Sequence, residues 1–450
     1  MNRMKISITL LSFATVVATA FAADTNGLRT LTLSDAHDLA LKNHPQIAAA
    51  NYRMLAAQEV TKESRAGYFP QANLYGSAVG ADSVKTRIEA GGLNNPSVFD
   101  RAAGGLSVNQ LITDFGRTAN LTASSRLRAE AESQNANATR EQVLLSVDVD
   151  YFSALQAQSV MGVAQQTLDM RQLLLDQVMV QASNKLKSEL DVSFARVALE
   201  EGQLLYQKAQ NSLDASLASL STTLGFREFR RFNLVEEPLP ASIDTNDIST
   251  LINSALQDRP EILALTDERD AASRFARAQR DSRLPIVSAV GVAGGSPIHD
   301  DRLPDTYAAG GLQLSLPLFA GGLFTARQHE AELRASADAE LLRALEDDVI
   351  RDVRIACLNL NNARERLRTT DQLVIHAQEA FDLARARYKA GSSSIVELSQ
   401  VQLELTSAQI AQTSARYDVL IQEANVNFQI GGLSTDPSSS NPSPAKSKHS

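Results

Sequence analysis

The chain has 450 residues, of which 44% are hydrophobic, and its formal net charge is −9. This acidic balance argues against nucleic acid or an anionic membrane surface as a partner. The only cysteine, Cys357, cannot form an internal disulfide. No stretch after residue 22 contains the ~18 consecutive apolar residues of a transmembrane helix.

The first 22 residues have the pattern of a secretory signal peptide. Arg3 and Lys5 give the positive start, an apolar run follows, and Ala20-Phe21-Ala22 is a small-x-small cleavage site. A membrane anchor is disfavoured because the apolar run is shorter than the ~20 residues that span a bilayer. We therefore expect an exported chain that is either soluble or embedded as a β-barrel.

The rest of the chain is a tandem duplication. The sequence Ala102 to Leu106 recurs as Ala308 to Leu312, at an offset of 206 residues. Earlier in each copy the offset is 215, where Pro45 matches Pro260. A repeat of this length is too long for a solenoid unit of about 20 to 50 residues, so each copy should be one half of a single body. We expect a first repeat at 23–247, with a linker at 225–247, and a second repeat at 248–433.

Each repeat contains two candidate strands. Leu312, Leu314, Leu316 and Leu318 alternate with polar residues, which is the period of a strand with one apolar face. The predicted strands are 71–80 and 104–112 in the first repeat, and 286–294 and 308–318 in the second. An ordinary soluble hairpin in each repeat is the alternative. If the strands cross a membrane, four cannot close a barrel, so several chains must share one. Two chains would give a filled barrel, and three would give twelve strands and an open pore.

Long helical hairpins follow the strands, at about 117–224 and 323–429. No glycine or proline interrupts residues 323–388, and Val353, Leu360, Phe381 and Tyr388 belong to an apolar stripe with a seven-residue period. This spacing is typical of a coiled coil. The helix would be about 100 Å long, which suits a hairpin that stands away from a membrane. Residues 434–450 are rich in Ser, Pro and Lys, which predicts a disordered tail.

The sequence contains no motif that indicates an enzyme or a bound cofactor. There is no GxxxxGK[ST], HExxH, CxxC or GxSxG. His299-Asp300-Asp301 is interpreted as a solvated turn, because a closed metal site needs more converging ligands. We expect no catalytic residues, no cofactor and no metal.

Several motifs in order resemble the TolC-like outer-membrane efflux protein family, the exit ducts of Gram-negative efflux pumps and type I secretion systems. The resemblance covers about Leu31 to Gly432. The motifs that carry it are Leu318-Phe319-Ala320-Gly321-Gly322, Tyr388-Lys389-Ala390-Gly391, Ser394-Ile395-Val396-Glu397-Leu398, Asp114-Phe115-Gly116 and Ser188-Glu189-Leu190-Asp191-Val192.

The resemblance implies an α+β membrane protein: a homotrimer whose twelve-stranded barrel in the outer membrane is continuous with a coiled-coil tunnel in the periplasm. It implies lipid around the barrel, and a periplasmic adaptor and an inner-membrane transporter as partners. The leading function is passive exit of small molecules in a tripartite efflux system. Export of a polypeptide by a type I system is the alternative within the family. An exported coiled-coil structural or adhesion protein is an alternative of another class.

The resemblance also implies a periplasmic gate at the tip of the hairpins. The family's acid maps to Asp191, its tyrosine to Tyr388 and its first bore acid to Glu397. Two positions depart from the family pattern, because Ser393 replaces an arginine and Gln400 replaces the second bore acid. Asp191 and Glu397 each lie three residues after a serine, which is capping-box spacing, so helix capping and gating both remain open.

The second candidate site is the junction at which a strand becomes a long helix. In the family-like motifs this junction contains Gly116 in the first repeat, and Phe319, Gly321 and Gly322 in the second.

Overall fold

The computed structural model describes residues 29–79, 86–90, 93–98, 101–236, 243–245, 247–298 and 304–432. The predicted signal peptide at 1–22, the predicted tail at 434–450 and the His299-Asp300-Asp301 turn lie outside these ranges.

Within the described ranges, each half of the chain contains four helices, and their lengths are 11, 22, 67 and 35 residues in both halves. The first half contains Leu33–Asn43 (α1), Pro45–Ala66 (α2), Arg117–Ser183 (α3) and Glu189–Thr223 (α4). The second half contains Ile248–Asp258 (α5), Pro260–Asp281 (α6), Leu323–Lys389 (α7) and Ile395–Gln429 (α8). Pro45 and Pro260 each begin a helix, where the missing N–H of proline costs nothing.

One antiparallel sheet combines strands from both halves. It contains Gln71–Val79 (β2), Arg101–Thr113 (β5), Ile286–Ile298 (β7) and Thr306–Ser315 (β8), in the order β2-β5-β7-β8. Two small sheets contain Arg29–Leu31 (β1) with Phe232–Leu234 (β6), and Thr86–Ala90 (β3) with Leu93–Val98 (β4). Strands β2 and β8 lie at the edges of the large sheet and run in opposite directions.

The predicted last strand, 308–318, is wrong at both ends, because β8 runs from Thr306 to Ser315. Ser315 pairs with Ile286, the first residue of β7, so residues 316–318 have no partner strand in this sheet. Pro317 also lacks the N–H that a ladder requires. The strands β5 and β7 are longer than predicted, at 13 residues each.

The two faces of the large sheet differ in polarity. Leu74, Leu312 and Leu314 lie on one face and are 85%, 75% and 66% exposed in the single chain. Cross-strand pairing puts Asn73 and Ser107 together on the other face. An apolar outer face and a polar inner face is the pattern of a membrane barrel stave.

The helical core lies in two main regions along the long helices. Around the small β1–β6 sheet, the Tyr151 hydroxyl donates to the Leu31 carbonyl at 2.9 Å and the Val235 carbonyl at 2.8 Å. Near the hairpin tips, side chains of all four long helices form a second cluster that includes Val178, Phe381 and Tyr388. The seven-residue stripe is therefore part of the buried seam.

Candidate functional site at the hairpin tips and the strand-helix junctions

The two hairpins turn through five-residue loops, 184–188 and 390–394, which are related by the 206-residue offset. One residue in each loop has a left-handed backbone: Lys185 with φ 60° and Gly391 with φ 76°. Glycine adopts this conformation at little cost, whereas lysine does not. The first tip therefore has the same turn as the second tip, but with a strained residue, Lys185, at its left-handed position.

Asp191 closes a capping box at the first tip. Its carboxylate accepts from the Ser188 hydroxyl at 2.8 Å and the Ser188 backbone N–H at 3.0 Å, while its own N–H donates to the Ser188 hydroxyl oxygen at 3.2 Å. These hydrogen bonds lower the pKa of Asp191. The capping alternative therefore describes Asp191 in the single chain.

Glu397 is the equivalent acid at the second tip, and its carboxylate has different partners. The Ser394 hydroxyl oxygen accepts from the Glu397 N–H at 3.2 Å, as a helix cap does. The carboxylate instead accepts from Arg387 at 2.9 Å and from the Ser393 hydroxyl at 2.7 Å. Glu397 thus ties the end of α7 to the start of α8.

Tyr388, the tyrosine of the proposed gate, is buried and has an unpaired hydroxyl among the described residues. Its side chain is 8% exposed, and its hydroxyl has no hydrogen-bond partner among the described residues. Tyr388 and Asp191, the two residues that the family resemblance puts at the gate, therefore do not hydrogen-bond to each other within one chain. Burial and the charge of Asp191 raise the pKa of Tyr388, so the phenol remains neutral at physiological pH.

Lys187 contacts Tyr388, and sequence reasoning missed this residue. Its ammonium lies 4.4 Å from the centroid of the Tyr388 ring, within cation-π distance. Adding the repeat offset to 187 gives 393, the position at which the family pattern expects an arginine and this chain has Ser393. The cation that contacts Tyr388 is thus supplied by the first hairpin, and comparing the two copies would have found it.

Gln400 lies one turn beyond Glu397 and donates to Glu404 at 3.0 Å. Nearby, the Ser399 hydroxyl and the Gln402 amide nitrogen are buried without partners among the described residues. Gln402 and Tyr388 line one cleft between α3, α7 and α8, with Arg385 and Lys389 at its rim. Several polar atoms at this tip thus have unused hydrogen-bonding capacity.

The strand-helix junctions have matching left-handed residues. Gly116 precedes α3 with φ 108°, and Gly322 precedes α7 with φ 83°. Before them stand Phe115 with φ 56° and Gly321 with φ 58°. Phe319 is 91% exposed beside this turn, as suits an aromatic residue at a membrane interface.

Asp114 supports the first junction from inside the fold. It is 7% exposed and accepts from the Thr118 N–H at 2.7 Å and from the Gly116 N–H at 3.3 Å. These bonds satisfy backbone donors at the start of α3 that have no partner within the helix. The strand is thereby joined firmly to the helix.

Within the described ranges, no group of three or more His, Cys, Asp or Glu residues is arranged to hold a metal. None of the helices in those ranges is both long and apolar enough to cross a membrane.

Comparison with known proteins identifies relatives over most of the chain. The family model described as "Outer membrane efflux protein" matches residues 36–226 and 251–432. The chain is 25% identical over 409 residues to outer membrane protein TolC of Vibrio cholerae, which covers 89% of this chain and 91% of that protein. It is 24% identical over 419 residues to the toluene efflux pump outer membrane protein TtgC of Pseudomonas putida, covering 88% and 84%.

A relative named for a different role is about as similar. The proteases secretion protein PrtF of Dickeya chrysanthemi is 24% identical over 426 residues, covering 89% of this chain and 88% of that protein. Among solved structures, the CmeC outer membrane channel of Campylobacter jejuni superposes with a TM-score of 0.74 at 19% identity, covering 96% of this chain and 94% of that one.

Proposed function

Because this chain belongs to the outer membrane efflux protein family, it is an outer-membrane exit duct rather than an enzyme, and we propose that it passively conducts small molecules from periplasmic partner proteins to the cell exterior. The observation that carries this proposal is the open four-stranded sheet whose strands lead directly into two 67-residue helices.

The sheet requires further chains because both of its edges are unpaired within the described chain. Exposed backbone N–H and C=O groups are not tolerated in hydrocarbon, so β2 and β8 must pair with other chains. They run in opposite directions, so β8 of one chain can pair antiparallel with β2 of the next. Three chains then give twelve strands and an open lumen, surrounded by outer-membrane lipid.

The helices extend this lumen into the periplasm. Each 67-residue helix is about 100 Å long; α3 follows β5 after residues 114–116, and α7 follows β8 after residues 316–322. Three chains supply six hairpins around a common axis. The result is a tunnel whose far end lies at the two kinds of tip described above.

We infer that these tips form the gate, with Asp191, Tyr388, Ser393, Glu397 and Gln400 at its centre. Two observations support this role. The Tyr388 hydroxyl and the Gln402 amide nitrogen are buried without hydrogen-bond partners among the described residues, so a rearrangement of the tip that gives them partners would be favourable. Glu397 is bound by Arg387 and Ser393, which a docking partner can replace.

The chain has no means of its own to drive transport, so the energy must come from partners. We propose a periplasmic adaptor that contacts the hairpin tips and an inner-membrane transporter that supplies the substrate. A hydrogen bond to a charged group contributes only about 1.5 to 3 kcal/mol. One such hydrogen bond at the tip of each of the three chains can therefore keep the tunnel closed, and the tip can still open when the adaptor docks.

The proposal is tested by reconstitution and by complementation. We expect the purified full-length protein to form channels in planar bilayers, and to restore resistance to small toxic compounds in a Gram-negative strain that lacks its own exit duct. A protein that is a folded, water-soluble monomer without detergent would contradict the proposal.

Export of a polypeptide is the second candidate, because a relative named for protease secretion is as similar as one named for toluene efflux. The same strain separates the two functions. Efflux predicts recovery of resistance without secretion of a co-expressed type I substrate, whereas the second candidate predicts recovery of secretion alone.

A further inference from the structure

One cross-strand row of the sheet reads Tyr-Gly-Gly-Tyr. Tyr75 on β2 pairs with Gly105 on β5, Gly105 pairs with Gly294 on β7, and Gly294 pairs with Tyr307 on β8. The two tyrosine hydroxyls meet at 2.6 Å above the glycines. The tyrosines thus span the whole width of the sheet from one edge strand to the other.

The two glycines are required because a side chain there would overlap Tyr307 and a backbone carbonyl oxygen of the neighbouring strand. A Cβ added at Gly105 would lie 2.5 Å from the Tyr307 hydroxyl. A Cβ at Gly294 would overlap the Tyr307 hydroxyl and the adjoining ring carbon. The Tyr307 ring therefore lies against the backbone of β7 and presents its opposite face to the space above the sheet.

The tyrosines lie on the concave, polar face. Three inter-strand steps of about 4.8 Å separate β2 from β8, and two side chains that rise from these edges meet only if the sheet is flat or curves toward them. Asn73 and Ser107 lie on the same face, and Leu74 and Leu106 lie on the opposite face. In a closed barrel the tyrosine pair therefore faces the lumen.

The strand segments on either side of this row contain no charged residues. The segments 71–79, 102–113, 286–298 and 306–315 contain no Lys, Arg, Asp or Glu. At the level of the row, a passing solute meets the exposed parts of the two tyrosine rings of each pair and their hydroxyls. Aromatic faces attract organic cations through the ring quadrupole and stack with other rings.

We propose that the three Tyr75–Tyr307 pairs of the trimer form a tyrosine belt around the lumen that binds aromatic organic cations in transit. The inference rests on the proposed exit duct and names a solute class for it. Because Tyr75 and Tyr307 stand on opposite edge strands, the pair of one chain adjoins the pair of the next. The belt therefore delays aromatic cations relative to small cations of equal charge.

The test is single-channel recording in planar bilayers, with benzyltrimethylammonium and tetramethylammonium as the two blockers. In the unmodified protein we expect tighter block by the aromatic ion. In Tyr75→Leu combined with Tyr307→Leu, block by benzyltrimethylammonium should weaken about three- to ten-fold, as expected for loss of cation-π contacts. Block by tetramethylammonium should change much less. Tyr75→Phe combined with Tyr307→Phe keeps the rings and should retain most of the discrimination.

Two glycine substitutions give an independent test if the leucine variant fails to assemble. Gly294→Ala puts a methyl group against the Tyr307 ring and the Gly104 carbonyl oxygen, so in channels that assemble it should displace the ring and reduce discrimination between the blockers. Gly311→Ala adds the same methyl group on the same face in open space, so it should have no effect.

The outcomes separate the belt from the duct. If the unmodified protein conducts ions but does not distinguish the two blockers, the proposed binding by the tyrosine belt is wrong, and the proposed exit duct is unaffected. If the phenylalanine variant loses discrimination as fully as the leucine variant, the hydrogen bond between the hydroxyls is required and the aromatic faces are not sufficient. That result would also contradict the proposed belt. Absence of any conductance would overturn the duct itself.

Discussion

The two halves of the chain have nearly the same backbone and use it differently. Helix lengths agree in all four pairs, and every left-handed position recurs at the 206-residue offset. The matched positions are Phe115 with Gly321, Gly116 with Gly322, Lys185 with Gly391, and Gly225 with Gly431. The two halves therefore share their backbone turns even where one half has glycine and the other has a different residue.

The side chains at equivalent places have separate roles. Asp191 caps its own helix, whereas Glu397 binds Arg387 and Ser393. Lys187 of the first half lies against Tyr388 of the second. In a trimer, six hairpins of nearly equal shape would thus alternate between two chemical types. Such an arrangement gives a tube of six similar staves with three equivalent gate contacts.

The largest expected difference between the halves is at the glycines that end the long hairpins. Gly225→Ala should destabilise the protein by about 3 kcal/mol, because φ is 82° and the new Cβ would lie 2.7 Å from the Asn43 carbonyl oxygen. Gly431→Ala should cost about 1 to 2 kcal/mol, because its Cβ would lie 3.3 Å from Asp258. Denaturant midpoints of the trimer in detergent measure both. Equal losses would mean that the two halves pack equally tightly there.

A second difference concerns a buried acid on α3. Glu141 is 5% exposed, and burial together with the charge of Glu261 raises its pKa to about 7, against a partial opposing effect of Arg259. An acid whose folded pKa exceeds its unfolded value of 4.5 binds more protons when folded between these two values. Its contribution to stability is therefore greatest below about pH 4.5 and is lost as the pH rises to about 7.

Glu141→Gln should remove this pH dependence. Relative to the unmodified protein, the variant should gain stability on the order of 3 kcal/mol at pH 8 and little at pH 4.5. The repeat offset supplies the control, because position 347 is an exposed aspartate. Asp347→Asn should leave the slope of Tm against pH unchanged. If Glu141→Gln also leaves that slope unchanged, Glu141 is not the group that titrates.

The two tip acids should respond differently to the same substitution. Asp191→Ala removes a capping box and should cost about 1 kcal/mol, with a smaller rise in conductance than Glu397→Ala. Glu397→Ala removes a partly exposed ion pair that contributes less than about 1 kcal/mol to stability. It also removes the contact between the end of α7 and the start of α8 at the proposed gate. We therefore expect higher single-channel conductance for Glu397→Ala than for Asp191→Ala. Higher conductance for Asp191→Ala instead would assign the gate to the first hairpin.

Sequence patterns with a fixed period predicted the fold well. The duplication, the seven-residue stripe and the alternating leucines predicted the long helices and the four-stranded sheet. They failed where a partner at great sequence distance decides the outcome. Residues 316–318 continue the alternation, yet β7 begins too late to pair with them. The contact of Lys187 with Tyr388 and the Tyr75–Tyr307 pair join residues about 200 or more positions apart. No local periodicity indicates either contact.

The smallest expected difference lies at the centre of the tip loops. Lys185 has φ 60° and is exposed, and Gly391 has the equivalent conformation with φ 76°. A non-glycine residue in the left-handed conformation destabilises the folded state by about 1 to 2 kcal/mol. Replacing it with glycine removes that cost but adds about 0.5 to 1 kcal/mol, because glycine loses more conformational entropy on folding. Lys185→Gly should therefore stabilise the protein by about 0.5 to 1 kcal/mol, and Gly391→Lys should destabilise it by a similar amount. Thermal unfolding of both variants in detergent measures these shifts. If Lys185→Gly lowers Tm, the Lys185 side chain must make a stabilising contact in the trimer that outweighs its backbone strain, and the first hairpin tip would then lie in an interface between chains.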